Sequence, residues 1–396
     1  MSGTRFTKLA PIAIAVAALA ACSKQEAPAP KEEKAAAAAA PAVETIKIGH
    51  VAPLTGEIAH LGKDNENGAR LAVDEINDAG GIKVGDKTVK LELVAEDDKA
   101  DPKEGTLAAQ KLVDAGVVAV VGHLNSGTSI PASKIYSDAS VTQISPSATN
   151  PKYTDQGFKT TFRVVANDNQ QGAVLANYAA DTMKAKTIAI VDDRTAYGQG
   201  LADVVEKVAK EKGVNVVARE FTNDKATDFN AILTKIRAKK PDVIMYGGMD
   251  ATAGPLAKQA KQLGIKAKLL AGDGVCSPEF IKLAGDAAGM LTCSMAGEAI
   301  DKLAKGEEFK TKYKAKFNAD VQVYSPYSYD AVYVIADAIK RAGKADRASI
   351  TAAMPATNYT GLTGQIAFDD KGDIKGGAIS LFDVKDGKLN YLSTSR

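Results

Sequence analysis

The chain has 396 residues, 45% of them apolar and 25% charged, which suffices for two or three domains with sizeable cores. Lys and Arg number 50 against 48 Asp and Glu, and residues 1–21 hold basic residues but no acidic one, so the remainder is close to neutral. A neutral chain without a basic patch argues against nucleic acid as a partner.

The first residues are typical of an export signal. Arg5 and Lys8 precede the apolar run PIAIAVAALA, which is too short to span a membrane as a stable helix, and the segment closes on LAAC. We therefore predict a signal peptide over residues 1–21 and attachment of lipid to the thiol of Cys22, which would anchor the mature protein. The alternative is a plain secretory signal cut near Ala18-Leu19-Ala20, with Cys22 incidental.

Residues 22–43 change to an Ala, Pro, Lys and Glu composition, APAPKEEKAAAAAAPAVE, which predicts a flexible tether. No later run reaches the roughly 18 apolar residues of a transmembrane helix. We therefore expect a periplasmic protein that contacts the membrane only through its N-terminal lipid.

Two cysteines remain once Cys22 is set aside. Cys276 and Cys293 have no histidine near them in the sequence, and an isolated pair in an oxidising compartment is more often a disulfide than a metal site. We predict a structural disulfide between them.

The body then alternates strands and helices. In the first series the apolar spacing of Ala69, Ala72, Val73 and Ile76 predicts a helix, and Asp101 is placed to cap the next one. The predicted strands of this series are TIKIGHVAPL, VKLELVAEDD, VVAVVG, TQISP and TTFRVV. Such alternation is typical of a parallel sheet with right-handed crossovers.

A second series of similar layout starts near residue 187. Its predicted strands are TIAIVDD, VNVVAREF, DVIMYGG and KLLAGDG, with helices between them and a short helix after Ser277. Two similar lobes place two sets of strand ends opposite one another, and the cleft between them is the natural binding site. Periodicity does not assign the helices after Cys293 to either lobe.

Residues 122–151 are the first candidate half of that site. A helix is predicted to begin at Ser126, directly after a buried strand, and the next strand runs into the polar loop SATN. Hydroxyl groups and the free N–H groups of a helix start suit a small anion such as a carboxylate. The alternative is that these residues only cap helices and form turns. The hydroxyls are those of Ser126, Thr128, Ser129, Ser145, Ser147 and Thr149.

The second half would come from Tyr197, Met249 and Asp273, at strand ends of the second series. Asp273 lies between two glycines that let the backbone turn sharply and leave the carboxylate projecting. Facing the hydroxyl cluster, it would hold an ammonium group, so that the two lobes together would bind a zwitterion. The alternative role is an Asx-turn residue.

The sequence gives little support for a catalytic role or a bound cofactor. His50, His60 and His123 have no partner at metal-ligand or triad spacing, and no phosphate-binding glycine loop or nucleophile elbow is present. The run DDKGD lacks the spacing of a calcium loop and predicts a hairpin turn. We expect no enzyme activity, no cofactor and no metal.

The chain resembles the exported leucine/isoleucine/valine-binding proteins of bacterial branched-chain amino-acid ABC importers. The resemblance runs from about residue 46 to the C-terminal strands and is carried by IKIGHVAPLTG, GARLAVDEINDAGGI, ADPKEG, VVGHLNSGTSIPAS, SPSATNP, IAIVDDRTAYGQGLA, YGG, GDGV and FDDKGD. It implies an α/β type I periplasmic binding fold, with two Rossmann-like lobes joined by a three-segment hinge. The lobes would be residues 44–167 with 297–377 and residues 168–296 with 378–396.

Matching motifs imply roles for ten residues. The ligand carboxylate would be held by Ser126, Ser147, Ala148 and Thr149, the ammonium group by Tyr197 and Asp273, and the ligand side chain by Leu61, Leu124, Met249 and Tyr324. Partners would be the small amino acid and the permease subunits of an inner-membrane importer, and we expect a monomer.

The sequence departs from the family's best-known members at several of these positions. They have aromatic residues in place of Leu61 and Met249, a glutamate in place of Asp273, and cysteines in place of Ala100 and Asn125. The ligand within the class therefore stays open. Other readings are the same fold with an amide, urea, an aromatic acid or another amino acid, or a sensory module that signals to a membrane receptor.

Overall fold

The structure is a computed structural model, and it describes residues 42–396. The predicted signal peptide, Cys22 and nearly all of the predicted tether lie outside this range. The first strand begins at Val43, the last residue that the sequence analysis assigned to the tether.

The first sheet has the order β2-β3-β1-β4-β5-β6. All neighbouring pairs are parallel except β2 with β3, a short hairpin that the sequence analysis missed. The strands are β1 Val43–Ala52, β2 Ile82–Val84, β3 Lys87–Asp97, β4 Ala119–Gly122, β5 Thr142–Ser145 and β6 Thr161–Arg163. The helices between them are α1 Ala59–Asp78, α2 Pro102–Asp114, α3 Ser126–Asp138 and α4 Lys152–Asp155.

Two helix starts in this part follow from local chemistry. The carboxylate of Asp101 accepts the N–H groups of Lys103 and Glu104 at 2.8 and 3.1 Å, and Pro102 occupies the first helical position, where it loses no hydrogen bond. Helix α3 begins at Ser126, as predicted.

The second sheet has the order β15-β14-β11-β10-β9-β7-β8, with β14 and β15 antiparallel at one edge. Its strands are β7 Thr187–Asp192, β8 Asn215–Phe221, β9 Val243–Gly247, β10 Lys268–Ala271, β11 Leu291–Met295, β14 Ile379–Lys385 and β15 Lys388–Ser395. Its helices are α5 Asp168–Asn177, α6 Ala196–Glu211, α7 Asn230–Lys239, α8 Asp250–Gln262 and α9 Pro278–Ala284. Strands β12 Tyr359–Gly361 and β13 Gly364–Ile366 pair separately.

The late helices belong with the first sheet. They are α10 Gly306–Phe317, α11 Ser325–Ala342 and α12 Arg347–Ala353. Val332, Ile335 and Ile339 of α11 share one core with Ile48 of β1 and Ile76 of α1. The chain therefore passes between the two sheets after β6, after β11 and before β14. We call the first sheet with α1–α4 and α10–α12 the first lobe, and the second sheet with α5–α9 the second lobe.

No helix within residues 42–396 is long and apolar enough to cross a membrane. The apolar faces of the helices instead cover both faces of the two sheets, which explains the unbroken hydrophobic runs of the central strands.

The disulfide prediction is confirmed. Cys276 and Cys293 are bonded, with Cα atoms 5.5 Å apart, and the bond joins the segment after β10 to β11 inside the core of the second lobe.

A Cys276→Ala/Cys293→Ala double variant is expected to lose about 2 to 4 kcal/mol of unfolding free energy, because its unfolded chain is no longer cross-linked. Urea denaturation measures this loss. Ligand affinity should stay unchanged, and a changed affinity would contradict a purely structural role.

Candidate functional site

The polar loops predicted to form the carboxylate half lie together at the carboxyl ends of β4 and β5. The N–H of Asn150 donates to Oγ of Ser126 at 3.2 Å, and Oγ of Ser147 donates to the carbonyl of Leu124 at 3.0 Å. These cross-loop bonds hold residues from the two loops as one surface, and Ser126, Ser147 and Thr149 are each at most 5% exposed.

Two donors on this surface have no acceptor within residues 42–396, namely the N–H of Thr149 and the hydroxyl of Ser126. The hydroxyl of Thr149 lies beside the carboxylate of Asp168 but forms no hydrogen bond of good geometry with it. Buried donors without acceptors are costly and mark a place where a ligand acceptor fits. The arrangement suits a carboxylate.

Ser147 and Ala148 play a supporting part in this arrangement. The hydroxyl of Ser147 donates to Leu124 and accepts from Asn65, while the N–H of Ala148 donates to Oγ of Ser145 at 2.8 Å. Their hydrogen-bonding groups shape the loop, and the free donors belong to Thr149 and Ser126.

Asp273 is buried inside the molecule, at the carboxyl end of β10, and is 2% exposed. One carboxylate oxygen accepts from Gln171 at 2.8 Å and from the hydroxyl of Tyr197 at 3.0 Å, and the other accepts from the hydroxyl of Tyr324 at 2.7 Å. Burial raises the pKa of Asp273, and the three donors offset this only in part. Burial also raises the pKa of both tyrosines well above the usual value, so each remains a protonated donor.

The contact from Tyr324 crosses between lobes, because Tyr324 precedes α11 of the first lobe. Matching motifs implied a role for Tyr324 beside the ligand side chain, and no sequence pattern indicated that its hydroxyl would reach Asp273.

A second carboxyl group, that of Asp168, was missed by the sequence analysis. Asp168 begins α5, is fully buried, and accepts from the same Gln171 amide nitrogen that donates to Asp273. Its other oxygen forms no hydrogen bond of good geometry among the described residues, although the hydroxyl of Thr149 lies beside this carboxyl group. Burial, reinforced by the charge of Asp273, raises the pKa of Asp168 to about 7. An Asp at a helix start resembles an ordinary helix cap in the sequence, so no local signal marked it.

The apolar residues predicted to hold a ligand side chain are brought together. Leu61 and Leu124 pack with Tyr324 in a small cluster separate from the two main cores, and Met249 of the second lobe packs against it. This cluster lies between the two lobes, beside the hydroxyl loops and Asp273.

Further contacts join the two lobes directly. The ring nitrogen Nε2 of His60 is 2.7 Å from a carboxylate oxygen of Asp250, and the side-chain amide of Asn150 donates to the carbonyl of Ala196 at 2.6 Å. Together with the contact between Tyr324 and Asp273, they hold the strand ends of the two sheets against each other. The sequence analysis predicted a role for neither His60 nor Asp250.

A cavity of about 730 Å³ opens at the mouth of the cleft. Tyr197, Met249 and Asn125 line its inner side, and Lys99 and Arg194 lie among the residues nearer the outside. Met249 belongs both to this lining and to the residues packed against the apolar cluster around Leu61, so the cavity lies next to the predicted side-chain pocket.

Two mostly parallel sheets, covered by helices, meet at their strand ends around a buried carboxylate on one side and free hydroxyl and N–H donors on the other. This arrangement is typical of proteins that enclose a small ligand between two lobes. The chain belongs to the periplasmic binding protein family, whose sequence model matches residues 45–388. The fold is the type I periplasmic binding fold, as predicted.

Relatives with sequence similarity cover most of the chain. A Leu/Ile/Val-binding protein homolog from Brucella abortus is 37% identical over 351 residues, covering 88% of this chain and 93% of that protein. A leucine-, isoleucine-, valine-, threonine- and alanine-binding protein from Pseudomonas aeruginosa is 38% identical over 335 residues, covering 84% and 88%.

Solved structures show the same architecture. The leucine-binding protein LivK from Thermotoga maritima superposes with a TM-score of 0.81 at 29% identity, covering 88% of this chain and 98% of that chain. LivJ from Streptococcus pneumoniae, solved in complex with isoleucine, gives a TM-score of 0.80 at 30% identity, covering 89% and 99%.

Proposed function

We propose that the protein captures a branched-chain or other aliphatic amino acid outside the cytoplasm and delivers it to the permease subunits of an ABC importer. One observation carries the proposal. The free donors of Ser126 and Thr149 and the buried carboxylate of Asp273 border the same interlobe cleft as the apolar cluster around Leu61 and Leu124. This combination matches the carboxylate, the ammonium group and the aliphatic side chain of one ligand.

Closure of the cleft would be the signal that the permease reads. We propose that residues 44–167 with 297–377 move against residues 168–296 with 378–396, about the three chain crossings. A ligand that touches both halves binds the closed form more tightly and shifts the population toward it. The cross-lobe contacts of Tyr324, Asn150 and His60 form only when the halves meet, so they add to closure.

The relatives support this ligand class for the chain, since their names specify leucine, isoleucine and valine and one solved neighbour holds isoleucine. They are substrate-binding proteins rather than enzymes, and we propose that this chain too returns its ligand chemically unchanged. Recovery of intact leucine after prolonged incubation with the protein tests that point.

Calorimetry with leucine, isoleucine and valine tests the proposed function. We expect saturable binding with one ligand per chain, after the protein has been unfolded and refolded to remove any ligand carried through purification. Alanine, which lacks most of the apolar side chain, should bind more weakly by about 0.8 kcal/mol for each lost buried methylene-sized group. Absence of binding for all three branched amino acids would contradict the proposal.

A second candidate is a larger ligand in the same cleft. The mouth cavity of about 730 Å³ favours it, because Met249 lines this cavity and leaves more room there than an aromatic residue would. A thermal-shift screen of amino acids, amides, urea and aromatic acids separates the two candidates. Stabilisation by aromatic acids but not by leucine would favour the second.

We also propose that the mature protein is held at the membrane by lipid on Cys22. A Cys22→Ser variant should then appear in the soluble periplasmic fraction, whereas the parent protein should remain with the membranes. Equal release of both forms would indicate a plain secretory signal.

A further inference from the structure

Arg163, at the end of β6, is the largest fully buried side chain within residues 42–396. Its guanidinium group donates to the carbonyl of Ala148 at 2.8 Å, to the carbonyl of Asn150 at 3.1 Å and to Oγ1 of Thr154 at 2.7 Å. Nε donates to the carboxylate of Asp373. Burying a guanidinium group is unfavourable unless its donors are satisfied. Here the donors bond two carbonyls of the loop SATN (residues 147–150), together with Thr154 and Asp373.

The bond to Ala148 acts on a specific atom of the site. The carbonyl of Ala148 and the N–H of Thr149 belong to the same planar peptide unit. The N–H of Thr149 is one of the unused donors described above. A cation bonded to the oxygen of a peptide unit fixes the direction of its N–H and draws electron density away from it, which strengthens the N–H as a donor.

The counter-charge lies on the side away from the cleft. Asp373 accepts from Arg163, from Oγ1 of Thr154 at 2.9 Å and from the side-chain amide of Asn167 at 3.0 Å. Asn167 caps α5, where the chain first enters the second lobe. The pair of Arg163 and Asp373 thus connects the loop SATN to that crossing, and the guanidinium group directs its two terminal nitrogens toward the loop.

We propose that Arg163 is a positioning residue for ligand capture, which holds the carbonyls of Ala148 and Asn150 so that a polarised Thr149 N–H faces the ligand carboxylate. This inference rests on the proposed function, because it requires a ligand with a carboxylate. It differs from a structural role alone, in which Arg163 would stabilise the fold and affect all ligands equally.

The test compares leucine with leucinamide, which keeps the ammonium group and side chain but lacks the carboxylate charge. In Arg163→Met, the Kd for leucine should rise at least tenfold, and the preference for leucine over leucinamide should shrink by a similar factor. Arg163→Lys keeps the charge but has three donors on a single nitrogen, in place of the planar fork that reaches four acceptors here. Its Kd for leucine should therefore lie between those of the parent protein and Arg163→Met. Measurements at pH 8 keep Asp168 ionised, since its pKa is about 7 and it lies near Arg163.

Asp373→Asn is the matched control. It removes the counter-charge and lowers thermal stability but leaves the bonds from Arg163 to the loop possible, so the preference for leucine over leucinamide should be kept. The amide proton resonance of Thr149 gives a second readout, which should move downfield on leucine binding in the parent protein and less in Arg163→Lys. If Arg163→Met fails to fold, the lysine variant and this resonance still decide the question.

The outcomes separate the two proposals. A parent protein that binds none of the branched amino acids overturns the proposed function and this inference with it. A parent protein that binds leucine, together with Arg163 variants that keep its preference over leucinamide and its Thr149 shift, overturns this inference alone. An equal loss of preference in Asp373→Asn would also overturn it, because the effect would then belong to the whole network.

Discussion

Leucine binding by an Asp273→Asn variant is expected to be roughly 10- to 150-fold weaker than by the parent protein. Asp273 is the buried carboxylate nearest the proposed ammonium site, and a hydrogen bond to a charged group contributes about 1.5 to 3 kcal/mol. The amide keeps the size of the side chain but loses the charge, and its nitrogen would face the donors Tyr197, Gln171 and Tyr324. Calorimetry at pH 8 measures the change.

A matched control is available in the same lobe. Asp286 is exposed and forms a surface ion pair with Lys261, so Asp286→Asn should leave the Kd unchanged. Tyr324→Phe removes only the cross-lobe hydroxyl and should weaken binding less than Asp273→Asn, because the carboxylate itself remains. If leucine affinity is unaltered in Asp273→Asn, Asp273 is not part of the site. The zwitterion interpretation would then have no protein group to bind the ligand ammonium.

The parts of the site that the sequence predicted are those where local pattern determines position. Ser126 and Thr149 follow apolar strands that are adjacent in a parallel sheet, and the carboxyl ends of such strands necessarily lie together. Asp273 follows another such strand and is flanked by glycines. In each case the alternation of strand, turn and helix was enough to locate the residue at the correct edge of the sheet.

The missed parts depend on contacts between residues far apart in the chain. Arg163 meets Asp373, and Tyr324 meets Asp273, only after the chain has passed between the lobes and returned. No spacing rule in the sequence encodes such a meeting. The same reason explains why the late helix α11 could not be assigned to a lobe, although its amphipathic pattern was clear: either sheet offers an apolar face that would bury it.

The substitution of a shorter acid at position 273 also has a physical counterpart in the structure. With one methylene fewer than glutamate, the carboxylate remains close to its own strand, where Gln171 and Tyr197 bond it. The hydroxyl of Tyr324 reaches across the cleft to the remaining oxygen. An incoming ammonium group would therefore meet Asp273 together with a tyrosine hydroxyl, which narrows the space for substituents on the ligand nitrogen.

Ligand capture is expected to be linked to a proton. Asp168 and Asp273 share the amide of Gln171, and two buried carboxylates this close favour a bound proton when no cation is present. Burial and the charge of Asp273 raise the pKa of Asp168 to about 7, and the hydroxyl of Thr149 and the charge of Arg163 offset this rise only in part. A ligand ammonium group beside the pair favours the ionised form and lowers this pKa. Binding near pH 6 should therefore release up to one proton, and binding above pH 8 should release almost none.

The sign for affinity follows from the same linkage. Affinity should be full above about pH 8 and should fall as the pH drops through 7, by at most about tenfold per pH unit for one proton. Burial lowers the pKa of His60, but the bond to Asp250 more than reverses this and raises the pKa above its usual value. That interlobe contact therefore strengthens at low pH and acts in the opposite direction. A His60→Gln background isolates the carboxylate effect.

Calorimetry of leucine binding at pH 6 in two buffers of different ionisation enthalpy measures the released protons directly. Asp168→Asn should abolish the release. Asp193→Asn is the matched control, since Asp193 is also a buried carboxyl group and burial raises its pKa to about 6. The proton release should persist in this variant, because Asp193 lies at the cleft mouth and bonds Thr195 instead of Gln171. Enthalpies that do not depend on the buffer in the parent protein would show that the two carboxylates do not share a displaceable proton. Proton release that persists in Asp168→Asn would assign the proton to a different group.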